Sequence, residues 1–336
     1  MSEIRRTGWT AEALMAEDFP EPRYAVPELI PEGLTFLAGA PKLGKSWLML
    51  GLSVAVASGG HALGKIEVDQ GDVLHLALED PPRRLQTRLS MMLNGSGPPK
   101  GLQFFTEWNR LSEGGDQELG LWLQRNPATR LVVIDIFSRV RPRLVDNRAD
   151  RFMADYSTGE KIKTVADEYG VAVVALHHTR KLESEDFVDL LSGSHGLAAS
   201  ADTIAVCKRS RGQADATLHV TGRDIEERSL ALRFAPEVGT WSLLGDAAEW
   251  ALSETRRTII EVLRIHGSLT PKGVADVSDV AHENAKKTLQ RMADEGQAVA
   301  KSGRYSLPVT PVPGVPLSLD ESGGQGQRDS GDRGEE

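Results

Sequence analysis

Eight residues constrain this chain more than any others. Gly39-Ala40-Pro41-Lys42-Leu43-Gly44-Lys45-Ser46 fit the pattern G-x-x-x-x-G-K-[ST]. Their flanks fit as well: Leu34-Thr35-Phe36-Leu37-Ala38 reads as a buried strand, and the apolar run over 46–58 reads as a helix. Strand, glycine-bearing turn and helix in that order build an anion cradle. The glycines let backbone N–H groups close on a phosphate, at a helix end whose dipole already favours negative charge. The pattern predicts that Gly39, Ala40, Pro41, Lys42, Leu43 and Gly44 wrap the phosphates, that Lys45 reaches the β- and γ-phosphates, and that the Ser46 hydroxyl holds Mg²⁺. The ligand so predicted is a nucleoside triphosphate.

The 336 residues leave room for one large α/β domain and a small one. Residues 1–32, broken by Pro20, Pro22, Pro27 and Pro31, read as a lead-in. From Gly33 apolar runs alternate with amphipathic stretches, the pattern of a largely parallel sheet covered by helices. The expected strands are Leu34–Ala38, Val73–Leu78, Leu131–Ile134, Val171–Leu176 and Thr203–Cys207, with helices over 46–58, 82–93, 116–125 and 148–168. Beyond Cys207, alternating runs at Ala216–Val220, Leu230–Phe234 and Trp241–Leu243 predict antiparallel strands. Past residue 247 the character changes again. Helices over Glu254–His266, Pro271–Val277 and Glu283–Glu295, then two short strands around Ser302-Gly303, spell a winged helix-turn-helix over 248–308. Residues 309–336, with six acids and two bases among Pro, Gly, Ser and Gln, are expected to be a disordered acidic tail.

Composition excludes several classes. A single cysteine, Cys207, rules out an internal disulfide framework, and no Cys/His cluster has metal-site spacing. Charged residues interrupt every apolar stretch before it reaches membrane-span length, and the N-terminus has no signal-peptide pattern, so the cytoplasm is the expected compartment. The net charge of −9 argues against a uniformly basic surface, but residues 250–308 carry nine bases against seven acids. On the third helix of that module Leu289 and Met292 are expected to face inward. Lys286, Lys287, Gln290 and Arg291 face outward, as a recognition helix for duplex DNA or as a protein contact.

Hydrolysis of a triphosphate needs more than a cradle, and ligands of open α/β sheets bind at strand ends. Leu131-Val132-Val133-Ile134-Asp135 is an apolar strand closed by an acid; Asp135 would support Mg²⁺ through its water shell, or merely start a turn. Leu76-Ala77-Leu78-Glu79-Asp80-Pro81-Pro82 ends another strand with two acids, where Asp80 also reads as a helix N-cap ahead of Pro81. His177-His178 follow a third, and adjacent strand residues point to opposite faces, so only one faces the phosphates. Trp47, and Arg84 on the helix after Glu79, are candidates to meet the rest of the nucleotide; core packing and a solvated helix face are the alternatives.

These strand ends resemble those of the RecA-like ATPases, and among them the plasmid-type hexameric replicative helicases and related mobile-element ATPases. The resemblance covers roughly residues 24–245. It implies that Glu79 polarises the attacking water, that His178 senses the γ-phosphate, and that Arg209 and Arg211 act as arginine fingers on a neighbouring subunit's nucleotide. It implies a homo-oligomeric ring, a hexamer by resemblance, with single-stranded DNA in its channel. Arg139, Arg141 and Arg143 on one loop fit phosphate contacts there, while the second loop, within 180–194, carries Glu183, Glu185, Asp186 and Asp189 and departs from what tracking a phosphate chain needs. Two functions remain: an ATP-hydrolysing, DNA-acting motor, or an ATP-switched regulator that binds DNA or a partner without translocating.

Overall fold

A computed structural model describes residues 8–142, 148–178, 195–209 and 216–308. The chain divides into two compact units, Met1–Ala251 and Leu252–Glu336. The first begins with a short helix, α1 (Ala11–Ala16), and two small strands, β1 (Tyr24–Val26) and β2 (Ile30–Pro31). The phosphate-loop strand β3 (Gly33–Gly39) leads into α2 (Lys45–Ser58), and a hairpin of β4 (Gly60–Ala62) and β5 (Ile66–Val68) follows. Next come β6 (Asp72–Ala77), α3 (Pro82–Leu93), β7 (Leu102–Phe105), α4 (Gly115–Arg125), β8 (Thr129–Asp135), α5 (Phe137–Val140), α6 (Arg148–Tyr169) and β9 (Ala172–His178). The unit closes with α7 (His195–Ser200), β10 (Thr203–Arg209), β11 (Ala216–Gly222), β12 (Arg228–Ala235) and β13 (Thr240–Asp246).

Among the described residues the main sheet has nine strands in the order β13-β12-β11-β10-β3-β9-β8-β6-β7. The six from β10 to β7 are parallel; β11, β12 and β13 extend one edge as an antiparallel meander. The fold is therefore the expected α/β architecture, a largely parallel sheet flanked by helices. β3 is buried at all seven positions, as a central parallel strand covered on both faces must be. Its side chains alternate between two cores. Leu37 packs with Leu48, Met49, Leu52 and Val56 of α2, while Leu34, Phe36 and Ala38 join Phe137 of α5 and Ile162 and Ala166 of α6. Phe36 and Phe137 meet edge to face, with ring centres 5.2 Å apart. No helix among the described residues is long and apolar enough to cross a membrane.

Helix α8 (Ala247–His266) starts seven residues before the periodic apolar positions begin, because the Asp246 carboxylate accepts hydrogen bonds from the Ala248 and Glu249 N–H groups. The second unit contains α9 (Pro271–Asp276), α10 (His282–Asp294) and a hairpin of β14 (Val299–Lys301) and β15 (Arg304–Ser306). Its own core gathers Ile259, Leu263, Val274, Leu289, Met292 and Tyr305. Thr270 caps α9 by accepting from the Gly273 N–H at 3.0 Å, with Pro271 at the first helical position. Lys286, Lys287, Gln290 and Arg291 of α10 are exposed. The acidic tail over 309–336 lies outside the described residues.

Candidate functional site

Strand alternation decides which side chains reach the phosphate loop. In β8 and β9, Leu131, Val133, Ala172, Val174 and Leu176 belong to the core under α2, and Val132, Ile134, Val173 and Ala175 to the opposite one. Carried to the last residues of the two strands, a period of two puts Asp135 and His178 on the α2 side and His177 on the other. The geometry follows. His178 Nδ1 lies 3.1 Å from Lys45 Nζ, whereas His177 packs against Phe137 with ring centres 6.5 Å apart.

Lys45 is buried, and its ammonium donates to the carbonyl oxygens of Gly39 at 2.7 Å and Ala40 at 2.9 Å, with the His178 ring nitrogen as third acceptor. Three hydrogens thus meet three acceptors, none of them a carboxylate. Burial lowers the Lys45 pKa to about 8, against the opposing fields of Cys207, Asp135 and Glu79. When His178 Nδ1 accepts from Lys45, its Nε2 carries the hydrogen and faces the Glu79 carboxylate 4.0 Å away. Burial first, and the Lys45 charge second, hold the His178 pKa below the usual imidazole value.

Asp135, 8 % exposed, has its pKa raised to about 6 by burial, with Asp80 and Glu79 adding to the shift and a hydrogen bond with Ser46 opposing it. The Ser46 hydroxyl and the acid at the end of β8 are therefore in contact. These are hard oxygen ligands of the kind Mg²⁺ uses, beside a buried cation at a helix N-terminus. The donor set fits a magnesium-bound polyphosphate.

The loop's shape depends on glycine at two places. A Cβ on Gly39 would stand 2.8 Å from the Cys207 carbonyl oxygen of neighbouring β10, and Gly44 adopts φ of +92° with the Trp241 ring over it. Trp241 Nε1–H donates to the Gly44 carbonyl at 3.2 Å. A cavity of about 320 Å³ opens along the loop, lined by Lys42 through Trp47, with Arg88, Asp135, Leu176, His178 and Phe234. Lys42, Leu43, Gly44, Lys45, Ser46, Trp47, Asp135 and His178 are thereby brought together, and Glu79 lies at their edge.

Other expected residues stand elsewhere. Asp80 does not cap α3: Pro81 occupies the N-cap, and the Asp80 carboxylate pairs with Arg84 at 2.9 Å and with Arg88. Two prolines in a row set the helix entry, which leaves the acid free to turn toward the guanidinium groups. Arg84 is more than half exposed, and it is Arg88, one turn further along, that lines the cavity. Helical spacing from Arg84 offered that signal. Phe234 and Trp241 had no local one, since the meander brings them back to the loop from about 190 residues away. Arg139 is exposed, whereas Arg141 pairs with buried Asp155 at 3.5 Å instead of reaching into solvent. Arg209 ends β10 opposite Ala216. Arg143, Arg211 and the segment 180–194 lie outside the described residues.

A family model described as an AAA domain matches residues 2–184. Among solved structures, the fold is similar to one titled "The Structure Of A DnaB-Like Replicative Helicase And Its Interactions With Primase". The TM-score is 0.53 and the identity 16%, with 70% of this chain and 67% of that one covered. No curated protein matches the chain.

Proposed function

This chain belongs to the AAA domain family, and we propose that it is an ATP-hydrolysing, DNA-acting protein of the hexameric replicative-helicase type. One observation carries the reading: Lys45, Ser46, Asp135, His178 and Glu79, drawn from three strand ends and one helix, converge at the N-terminus of α2. Lys45 and the loop amides bind the phosphates of ATP. Ser46 and Asp135 would hold Mg²⁺, which supplies charge neutralisation on the phosphate oxygens. Glu79 orients and deprotonates the attacking water, and His178, between Lys45 and Glu79, couples phosphate contact to that base. Arg209 and Arg211 serve the nucleotide of an adjacent subunit in a ring, with single-stranded DNA in the channel.

The second unit, with three helices followed by a hairpin, we take as a winged helix, α10 presenting Lys286, Lys287 and Arg291 to a duplex. That exposed basic face, together with the acids at 183, 185, 186 and 189, favours as second reading an ATP-switched DNA-binding regulator that does not translocate.

ATP hydrolysis with and without single-stranded DNA, paired with a mass measurement, separates the two. A motor shows strong stimulation and hexamers; a switch shows slow, unstimulated turnover and duplex binding. The Glu79→Gln variant is expected to bind ATP normally and to lose turnover by about a hundredfold or more, the scale of a positioned general base. Substantial residual hydrolysis would assign the water to another residue.

A further inference from the structure

The second unit carries charge that it does not balance. Lys286, Lys287 and Arg291 of α10 are exposed, and so is Lys301 of the hairpin. Tyr305 of β15 fixes that hairpin to the middle of α10, its hydroxyl donating to Gln290 Oε1 at 3.1 Å. The acids of the helix are already engaged. Gln290 Nε2 donates to Asp294 at 3.2 Å, Arg256 pairs with Glu295 at 2.9 Å, and His282 lies 3.5 Å from Glu283. Among the described residues no acid stands within ion-pairing distance of Lys286, Lys287, Arg291 or Lys301. Such a face draws an anion from outside the unit.

The chain itself supplies one. Residues 309–336, outside the described residues, carry six acids against two bases and join the second unit at Pro308, just past β15. The charges are not spread evenly. Residues 309–319 have none, and all six acids fall within 320–336. The uncharged connector can span up to about 40 Å, whereas α10, with 13 residues, is about 20 Å long. The first acids can therefore reach any part of α10. Tethering also holds them near the face at an effective concentration on the order of millimolar, enough to fill a weak ionic contact.

We propose that the acidic segment 320–336 docks on the Lys286, Lys287, Arg291 and Lys301 face of its own chain and shields that face from other polyanions. The docking rests on the charges of this unit alone. That the excluded polyanion is duplex DNA rests on the winged-helix reading.

Two measurements on the full chain test this. The first is zero-length carbodiimide crosslinking read by mass spectrometry, in which a carboxylate and a lysine amine in contact condense to an amide with loss of water. Lys161 and Asp116, 3.6 Å apart, serve as the internal standard. Links from 320–336 to Lys286, Lys287 or Lys301 within one chain are expected. Their absence while the standard forms overturns the proposal. Links that join labelled to unlabelled chains in an isotope mixture overturn it too, by giving the face to a second copy.

The second measurement titrates a mixed-sequence DNA duplex against the wild type and against a chain whose six acids are all amides, with Asp320→Asn, Glu321→Gln, Asp329→Asn, Asp332→Asn, Glu335→Gln and Glu336→Gln combined. The amide form is expected to bind about tenfold more tightly at about 50 mM salt, and within about twofold of wild type at about 300 mM, where ionic contacts are screened. Equal binding at low salt overturns the shielding. Crosslinks in a protein that binds no duplex in either form keep the docking and overturn the winged-helix reading instead.

Discussion

The two faces of the central sheet are built from the same strands and come to different ends. On the α5–α6 face the alternating residues run out into hydrocarbon: Ile134, Phe137 and Ile162 are sealed, and His177 is turned edge-on to Phe137. On the α2 face the same period runs out into Asp135 and His178, around a buried ammonium. One face is optimised for packing. The other keeps charge where packing would be cheaper, and such buried charge is tolerated because it is held ready for a ligand.

Substitutions on each face test this contrast. The largest effect is expected from Lys45→Met, which should weaken ATP binding by about a thousandfold, the scale of removing one partner of a buried charged contact, while raising the melting temperature. A variant that binds ATP like wild type breaks the contrast at once. On the packed face, Ile162→Ala should cost about 2–5 kcal/mol in urea denaturation through its cavity and leave the ATP affinity of the folded protein within about twofold. A large affinity change there would mean that the faces are not separate in function.

Asp135 sharpens the point through pH. Its folded pKa of about 6 exceeds the ordinary 3.8, so the folded chain binds the extra proton between those values and stability falls as pH rises through that window. Asp135→Asn should therefore stabilise the ligand-free protein by about 3 kcal/mol at pH 8 and by no more than about 0.5 kcal/mol at pH 4, in parallel urea titrations. A gain independent of pH would trace the cost to something other than charge. The smallest effects are expected from the adjacent histidines. His177→Ala should destabilise by about 1 kcal/mol with turnover per folded molecule nearly intact, and His178→Ala should lower kcat with stability within about 0.5 kcal/mol of wild type. The reverse pattern would exchange their roles.

Much of this was legible in the sequence because the parallel strands are short, apolar and closed by polar residues. The period of two then says that only one neighbour of a pair faces the loop; that it is His178 and not His177 is read from the Lys45 contact. What was hidden was non-local or marginal. Strand β7 is a four-residue edge, half exposed, with too little alternation to stand out. Helix α1 buries none of its residues. Asp80 was misread because a local capping rule lost to two arginines further along the helix. Phe234 and Trp241 look like ordinary strand aromatics until the meander carries them back over Gly44.

That last contact bears on where the working part of the chain stops. Every residue assigned to chemistry lies at or before Arg211, so a trimmed piece ending soon after it would seem complete. Yet the indole resting on Gly44 comes from position 241. Such a piece would keep all its reactive groups and lose the lid over its first motif. The minimal functional length is set by the last residue that touches the loop, not by the last one expected to react.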